Sequence, residues 1–230
     1  MARQGISPQK KRLVYVRNFT NRLLHWIMFF AVMVLLVTGY YIGHPTAVYG
    51  QGEPYQAVTM ANIRFYHFIG AMFLDIAIML RFYLAFFSLY HRDWFEVLPF
   101  PSRIIGAIQV VKSYFTFIKP PFYRHVDPFD GLLFLALHLF MVLQLLTGFQ
   151  LYVHALGQEY WWAQVIHLGT DWIRVVLGGD QYVRLAHHMM LWIMIAGIIA
   201  HVYIQVAKTI IWQDGHIAAI VGGYKYQDVE

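Results

Sequence analysis

The sequence predicts an all-α integral membrane protein, built as a bundle of four spanning helices. Of its 230 residues, 59% are hydrophobic and only 13% are charged, whereas soluble domains carry about 25% charged residues. Four apolar windows reach the length of about 20 residues that a bilayer requires. So few charges cannot cover a globule of this size, which excludes an ordinary cytosolic enzyme, a disordered chain and a nucleic-acid-binding module.

The predicted spans cover residues 23–42, 63–90, 132–153 and 185–206. Two shorter apolar segments, 104–118 and 160–176, contain charged residues, and the second is rich in tryptophan. Because amphipathic helices with Trp and Tyr settle at the membrane surface, we predict that both segments form interfacial helices. Residues 1–230 are predicted to form a single membrane domain.

Basic residues predict the orientation of the spans. Six Lys and Arg residues precede the first span, five lie between spans two and three, and none lies within 43–62. Since cytoplasmic loops carry the excess of Lys and Arg, both termini and the middle loop are predicted to be cytoplasmic. The loops 43–62 and 154–183 then face the exterior. The net charge of +5 is thus interpreted as a topology signal, with no nucleic-acid partner.

The chain has 12 histidines and no cysteine. Without thiols there is no disulfide, iron–sulfur cluster, thiolate zinc site or covalently attached haem, so a metal must be held by His, Met or carboxylate groups. An ionisable residue inside a span is a functional candidate by default. The histidines within the spans are therefore the main candidates for a functional site.

Histidines at two depths are predicted to pair across the helices. His187 and His201 are fourteen residues apart, so they point nearly the same way, about 21 Å apart along the helix axis. Under the predicted orientation, His67 lies near the outer face and His25 near the inner face. The pairs His67/His187 (outer) and His25/His201 (inner) then supply opposed imidazoles, as two axial ligands of haem b iron require. This geometry predicts two non-covalent haem b groups.

Small and charged residues accompany the histidines. Gly39, Gly70 and Gly148 lie near the outer pair and would let a porphyrin approach the backbone, although close helix packing explains glycines equally well. Arg81, fourteen residues after His67, is predicted together with Arg22 to bind a haem propionate or a quinone oxygen.

Asp75 lies at mid-depth in span two. It is interpreted either as a protonated or Arg-paired structural residue or as part of a proton path. Of the remaining histidines, His188 is predicted to pack beside its neighbour and His138 to form a hydrogen bond in the core. The others are predicted to be mostly solvated: His44, His91, His125, His154, His167 and His216.

Several motifs carry a family likeness over nearly the whole chain. They include Arg22-Leu23-Leu24-His25-Trp26, Ile63-Arg64-Phe65-Tyr66-His67, Ala186-His187-His188 and Gly222-Gly223-Tyr224-Lys225. With them the chain resembles the cytochrome b subunit of membrane-bound nickel–iron hydrogenases, within the bacterial four-helix di-haem cytochrome b group. It departs from that pattern around His125, where a Gly-His-Asn-Pro sequence is common, and at Asp75, where a neutral residue is usual.

The resemblance implies a function. Such subunits lie in the bacterial inner membrane, anchor a periplasmic pair of large and small hydrogenase subunits, and pass electrons from the small subunit's Fe–S cluster to membrane quinone. The family's haem ligands fall on His25, His67, His187 and His201. The chain itself would not activate hydrogen, because it lacks the cysteine ligands for such a centre.

Other interpretations stay open at this point. The same fold serves other enzymes, such as formate dehydrogenase or a cation-stress reductase. A haem-free proton relay or transporter would use the histidines and Asp75 instead. A passive assembly anchor would not need the histidines for quinone-linked activity.

Overall fold

The computed structural model describes residues 10–45, 58–89, 92–116, 118, 120–124, 126–156 and 159–228. His91 and His125 lie outside these residues. The elements follow in the order β1 (Lys11–Tyr15), α1 (Phe19–Gly43), α2 (Thr59–Phe87), α3 (Trp94–Val97), α4 (Pro101–Thr116), α5 (Pro128–Leu156), α6 (Trp161–Leu177), α7 (Asp180–Trp212), α8 (His216–Gly222) and β2 (Tyr224–Asp228).

The four predicted spans are confirmed as helices long and apolar enough to cross a membrane: α1, α2, α5 and α7. The protein is thus an all-α multi-pass membrane protein. Three of the helices extend past both ends of the predicted window, and α2 begins earlier but ends sooner. The helices are longer than the windows because each window stops at the last apolar residue. A helix continues through polar residues, since their backbone groups can still form its hydrogen bonds.

Both predicted surface segments are helical, as α4 and α6. Along α6 the side chains of Trp161, Val165, Leu168, Trp172 and Val175 are all more than half exposed. Their spacing places them on one apolar face. The helix ends at Leu177, and the next residue, Gly178, has a φ of 88°, the left-handed cap conformation that favours glycine. The location of these helices at the membrane interface stays a prediction.

The chain divides into two compact units. The bundle unit comprises 24–92 and 135–198, and the terminal unit comprises 1–23, 93–134 and 199–230. In the bundle unit the buried core consists of Ala31, Leu74, Ile78, Met141 and Met194. Many large apolar side chains of its helices point outward, as lipid-facing residues do. The single-domain prediction stays a prediction.

The terminal unit contains a small sheet that the sequence did not predict. β1 and β2 pair antiparallel, from Lys11 opposite Asp228 to Tyr15 opposite Tyr224. Gly223, at φ 89°, precedes β2, and a Cβ there would lie 2.7 Å from the Arg17 carbonyl oxygen. Only glycine fits this close approach. The pairing therefore holds two strands side by side in this unit, although they are more than 200 residues apart in the sequence.

Candidate functional site

A cavity of about 500 Å³ lies within the bundle unit. Its lining comes from α1, α2, α5 and α7 and is mostly apolar, with a few polar side chains among them. Ligand and cofactor sites in proteins occupy about 300–1,000 Å³ and have this mixture of apolar walls and a few polar groups. The cavity is therefore large enough for a cofactor.

His67 from α2 lines the cavity. Its Nδ1 lies 2.9 Å from the hydroxyl oxygen of Thr38 on α1. That hydroxyl donates its single proton to the Val34 carbonyl at 2.6 Å. Because the hydroxyl oxygen must then accept from the ring, the proton of His67 resides on Nδ1 and the lone pair on Nε2. Nε2 is the nitrogen left to ligate a metal.

His187 from α7 repeats this arrangement. Its Nδ1 lies 2.9 Å from the hydroxyl of Thr147 on α5, and that hydroxyl donates to the Leu143 carbonyl at 2.8 Å. The Gln144 amide also donates to the backbone carbonyl of His187 at 3.1 Å. Two helix pairs thus hold two histidines in the same tautomer beside one cavity. Hydrogen bonding of the second ring nitrogen is the usual way in which proteins orient a metal-bound histidine.

Each of these threonines is followed by a glycine that faces the same histidine. A Cβ at Gly39 would lie 3.2 Å from Cε1 of His67, and a Cβ at Gly148 would lie 3.2 Å from Cε1 of His187. Both distances are tighter than ordinary van der Waals contact. The two glycines therefore make room for the rings, and both line the cavity. A Cβ at Gly70 would instead meet Val34 and Leu35 at 3.2 and 3.3 Å, so Gly70 serves helix packing.

Two arginines in the cavity lining were missed from the sequence. Arg64 and Arg184 both line the cavity and are exposed. Each stands three residues before a histidine, Arg64 before His67 and Arg184 before His187, and hence one helical turn away. That repeated spacing is the signal that could have identified them. A guanidinium at this position suits a carboxylate partner.

His188 also lines the cavity. A Cβ at Gly43 would lie 3.3 Å from its Nε2, so the ring packs against the end of α1. Its ring centroid is 6.4 Å from that of His187. The predicted packing beside its neighbour is confirmed.

The structure places the predicted inner ligands in different units. His25 lies on α1 in the bundle unit, with its ring centroid 5.7 Å from that of Trp26. His201 lies on α7 in the terminal unit, 5.4 Å from the Phe134 ring. Their pairing stays a prediction that rests on the sequence spacing.

The other predicted site residues occupy several environments. The Arg22 guanidinium donates a short hydrogen bond to the Val221 carbonyl, so it links the start of α1 to α8. Arg81 and Asp75 are both partly buried on α2, and Asp75 follows the core residue Leu74. Their roles at a quinone, a propionate or a proton path stay predictions.

The prediction of solvated histidines is partly wrong. His44 and His154 are exposed as predicted. His167, however, is bound at 2.9 Å to Asp171, with its side chain only 12% exposed. His216 is bound at 2.6 Å to Asp214 and is 7% exposed. Carboxylate partners explain why these two rings are removed from solvent.

Residues 16–223 match the family model of the prokaryotic cytochrome b561 proteins. The chain belongs to this cytochrome b561 family. Its similarity to a family of b-type cytochromes confirms the resemblance seen in the sequence and implies that haem b is bound.

Several relatives match this cytochrome over more than nine tenths of its residues. It is 30% identical to the probable Ni/Fe-hydrogenase B-type cytochrome subunit of Azotobacter vinelandii, over 94% of this chain and 90% of the relative. It is 29% identical to the subunit of that name from Cupriavidus necator, over 93% and 87%. It is 26% identical to the probable Ni/Fe-hydrogenase 1 B-type cytochrome subunit of Escherichia coli K12, over 92% and 90%.

The cavity residues of this cytochrome fit haem b. His67 and His187 would hold the haem iron through Nε2, and the two glycines leave the rings room. The apolar walls suit a macrocycle, and Arg64 and Arg184 suit its two propionates. The donor set contains imidazoles and no thiolate, as expected for haem b held without covalent attachment.

Proposed function

We propose that this chain is the di-haem b membrane subunit that passes electrons from a nickel–iron hydrogenase to membrane quinone. The observation that carries the proposal is that His67 and His187 line one cavity, each with its Nδ1 2.9 Å from a threonine hydroxyl. The names of the relatives support a hydrogenase as the partner.

The residues of the chain have distinct tasks in this function. When bound, haem b supplies a reversible one-electron centre. His67 and His187 would hold the outer haem through Nε2, and their threonine partners would set how strongly the imidazoles donate to the iron. The apolar walls of the cavity exclude water, which governs its potential. His25 and His201 hold the inner group in the same proposal, on the basis of their spacing.

The proposed topology gives the electron flow a direction. With both termini cytoplasmic in a bacterial inner membrane, the His67/His187 site lies toward the periplasm, where the large and small hydrogenase subunits dock. Electrons from the small subunit's Fe–S cluster enter on that side. Quinone is reduced and protonated toward the cytoplasmic side, where Arg81 and Arg22 are the proposed contacts for its oxygen or for a propionate.

The proposal is tested by adding hydrogen to the purified complex and following the b-type haem absorption and quinol formation. We expect hydrogen to reduce the haem and the quinone in the native complex. In H67A and H187A the quinone rate falls, while the reduction of a dye that takes electrons from the hydrogenase itself is unchanged. The exposed His154 provides the matched control, H154A.

Three outcomes would contradict the proposal or a part of it. Reduction by formate with a copurifying formate dehydrogenase, and none by hydrogen, would assign the chain to the alternative partner. A folded, colourless protein in cells supplied with haem would favour the haem-free relay. In liposomes, hydrogen-to-quinone turnover is expected to generate a membrane potential, and its absence would contradict quinone reduction on the inner side.

A further inference from the structure

Six ionisable side chains form a buried ionic cluster in the terminal unit: Asp127, Asp130, Lys208, Asp214, His216 and Lys225. Lys208 and Lys225 are 0% and 2% exposed, respectively. Charges removed from water this completely are costly and persist only when partners satisfy them. None of the six was predicted to be functional.

One half of the cluster consists of two carboxylates on one ammonium. Lys208 Nζ lies 2.7 Å from Asp130 Oδ1 and forms a short ion pair with Asp127. The Gln205 amide donates to Asp130 at 3.1 Å. Asp127 also accepts the Asp130 backbone N–H at 2.9 Å, as a residue that caps a helix N-terminus does. Two carboxylates thus share one ammonium group. The second negative charge is not balanced by Lys208, so one of the two carboxylates can accept a proton.

The other half is a chain of hydrogen bonds through one imidazole. His216 Nδ1 lies 2.6 Å from the Asp214 carboxylate, and His216 Nε2 lies 2.9 Å from Lys225 Nζ. Since an ammonium only donates, Nε2 accepts from Lys225 and Nδ1–H donates to Asp214. Both ring nitrogens therefore form hydrogen bonds, Nε2 with the Lys225 ammonium and Nδ1 with the Asp214 carboxylate.

The two halves meet. One ligand atom each from Asp127, Asp130 and His216 lie within 4.8 Å of one another. A small cavity of about 20 Å³ is lined by Asp127, Asp214, His216 and Lys225, with the 120–123 segment on another side. A space of this volume with polar walls holds about one water molecule. Such a water would connect the imidazole to the carboxylates.

We propose that His216, between Lys225 and Asp214, is a proton-transfer residue that supplies protons for quinone reduction. This inference rests on the proposed function. Hydrogen oxidation releases two protons and two electrons, and one quinone takes up two electrons and two protons to become quinol. For each proton, Lys225 donates to Nε2 of His216 while the Nδ1 proton passes to Asp214. Asp214 then releases that proton to the reduced quinone, Lys225 takes a new proton from solvent, and rotation of the imidazole restores its Nδ1–H.

The electrostatic setting of the cluster supports this role. Burial lowers the pKa of the His216 imidazole against the opposing effect of Asp214, and Lys225 and Lys208 lower it further. Burial, with the Arg17 charge, lowers the pKa of Lys225 to about 8, although Asp214, Asp127 and Asp130 oppose the shift. Burial and the neighbouring Asp130 raise the pKa of Asp127 against the opposing effect of Lys208. Lys225 thus has a pKa near the working pH, which suits a proton donor. At Asp214 burial raises the pKa, but the hydrogen bond and charge of His216 and the charge of Lys225 outweigh it and lower the pKa.

The substitution H216Q tests the inference in the intact complex. Glutamine retains hydrogen-bonding groups but cannot carry a proton through a ring. We expect the hydrogen-to-quinone rate to fall about 100-fold, with a changed pH profile and a larger solvent deuterium effect. Hydrogen-to-dye activity and the haem spectrum are expected to be unchanged. In H216G, added imidazole is expected to restore part of the quinone rate.

His167 provides the matched control. It forms the same imidazole–carboxylate hydrogen bond, with Asp171 at 2.9 Å, but lies outside the cluster. H167Q is expected to retain the quinone rate and its pH profile. An H216Q rate and pH profile equal to those of the wild type would overturn the inference, as would a loss in H216G that imidazole does not restore. Failure of the wild type itself to reduce quinone with hydrogen would instead reject the proposed function and this inference with it.

Discussion

The hydroxyl oxygen of Thr38 lies 2.9 Å from Nδ1 of His67, and this contact selects the tautomer of the histidine. Thr147 has the same relationship to His187. In both cases the hydroxyl proton is committed to a carbonyl of its own helix, so the hydroxyl can only accept from the ring. The hydrogen bond from a threonine hydroxyl to a carbonyl of its own helix thus controls which nitrogen of the histidine on the neighbouring helix faces the cavity.

Removing this acceptor is expected to weaken haem binding. In T38V the methyl group fills the space of the hydroxyl but leaves the Nδ1–H of His67 without its acceptor. Because such second partners raise ligand basicity, we expect about tenfold weaker haem retention and a higher midpoint potential. Redox titration and haem content measure both. T116V is the control, since the hydroxyl of Thr116 bonds to the Lys112 carbonyl of its own helix. An equal change in T116V would contradict a role for the Thr38 hydroxyl as acceptor.

Alanine at the facing glycines is expected to displace the histidine rings. A Cβ at Gly39 or Gly148 comes within 3.2 Å of the ring that each glycine faces, and overpacking costs about 1–3 kcal/mol. G39A and G148A should therefore each reduce haem occupancy, measured as haem per polypeptide. Gly169 has nothing within 4 Å of its added Cβ, so G169A should retain full occupancy. Full occupancy in all three variants would contradict the proposed geometry.

Neutralising the cavity arginines is expected to lower a haem potential. A positive charge stabilises the reduced state, so R64Q and R184Q should each lower the midpoint potential of one haem. A change on the order of 1 kcal/mol corresponds to about 40 mV for one electron. Arg174 pairs with Asp180 at 3.8 Å and does not line the cavity, so R174Q should leave the potentials unchanged. Unchanged potentials in R64Q and R184Q would exclude the arginines as propionate partners.

The buried Lys225 predicts how stability depends on pH. Its pKa is lowered from 10.5 to about 8, so between these values the folded state has lost a proton that the unfolded state retains. Stability must rise with pH across this window, by about 3 kcal/mol at most. Thermal unfolding in detergent should therefore show a rise from pH 8 to 10.5 in the wild type that K225M lacks. The exposed Lys112 gives the control K112M, which should match the wild type; a wild-type slope in K225M would contradict a buried charge.

Much of the fold was predictable because a membrane span is defined by composition. That His67 and His187 lie beside one cavity was also predictable in part, since a regular helix converts residue spacing into depth and direction. The Thr38-Gly39 and Thr147-Gly148 repeat is visible in the sequence. The contacts that this repeat makes cannot be predicted from the sequence, because the relative rotation of two helices decides which ring faces which hydroxyl.

The buried ionic cluster could not be predicted in this way. Asp127, Lys208, His216 and Lys225 come from separate segments, and only tertiary folding brings them together. Lys208 and Lys225 give no sign of burial in the sequence, since most lysines near a span end reach water. The β1–β2 pairing was missed for the same reason, because a short strand at each end of the chain has no local partner.

The most direct test of the haem assignment is the number of b-type haems per purified polypeptide in the wild type, H67A and H187A. Two haems are expected in the wild type. Each variant should lose one haem, and the two reduced-minus-oxidised spectra should lack the same component because both histidines ligate one iron. A full haem complement in either variant, or the loss of different components, would contradict the pairing of His67 with His187.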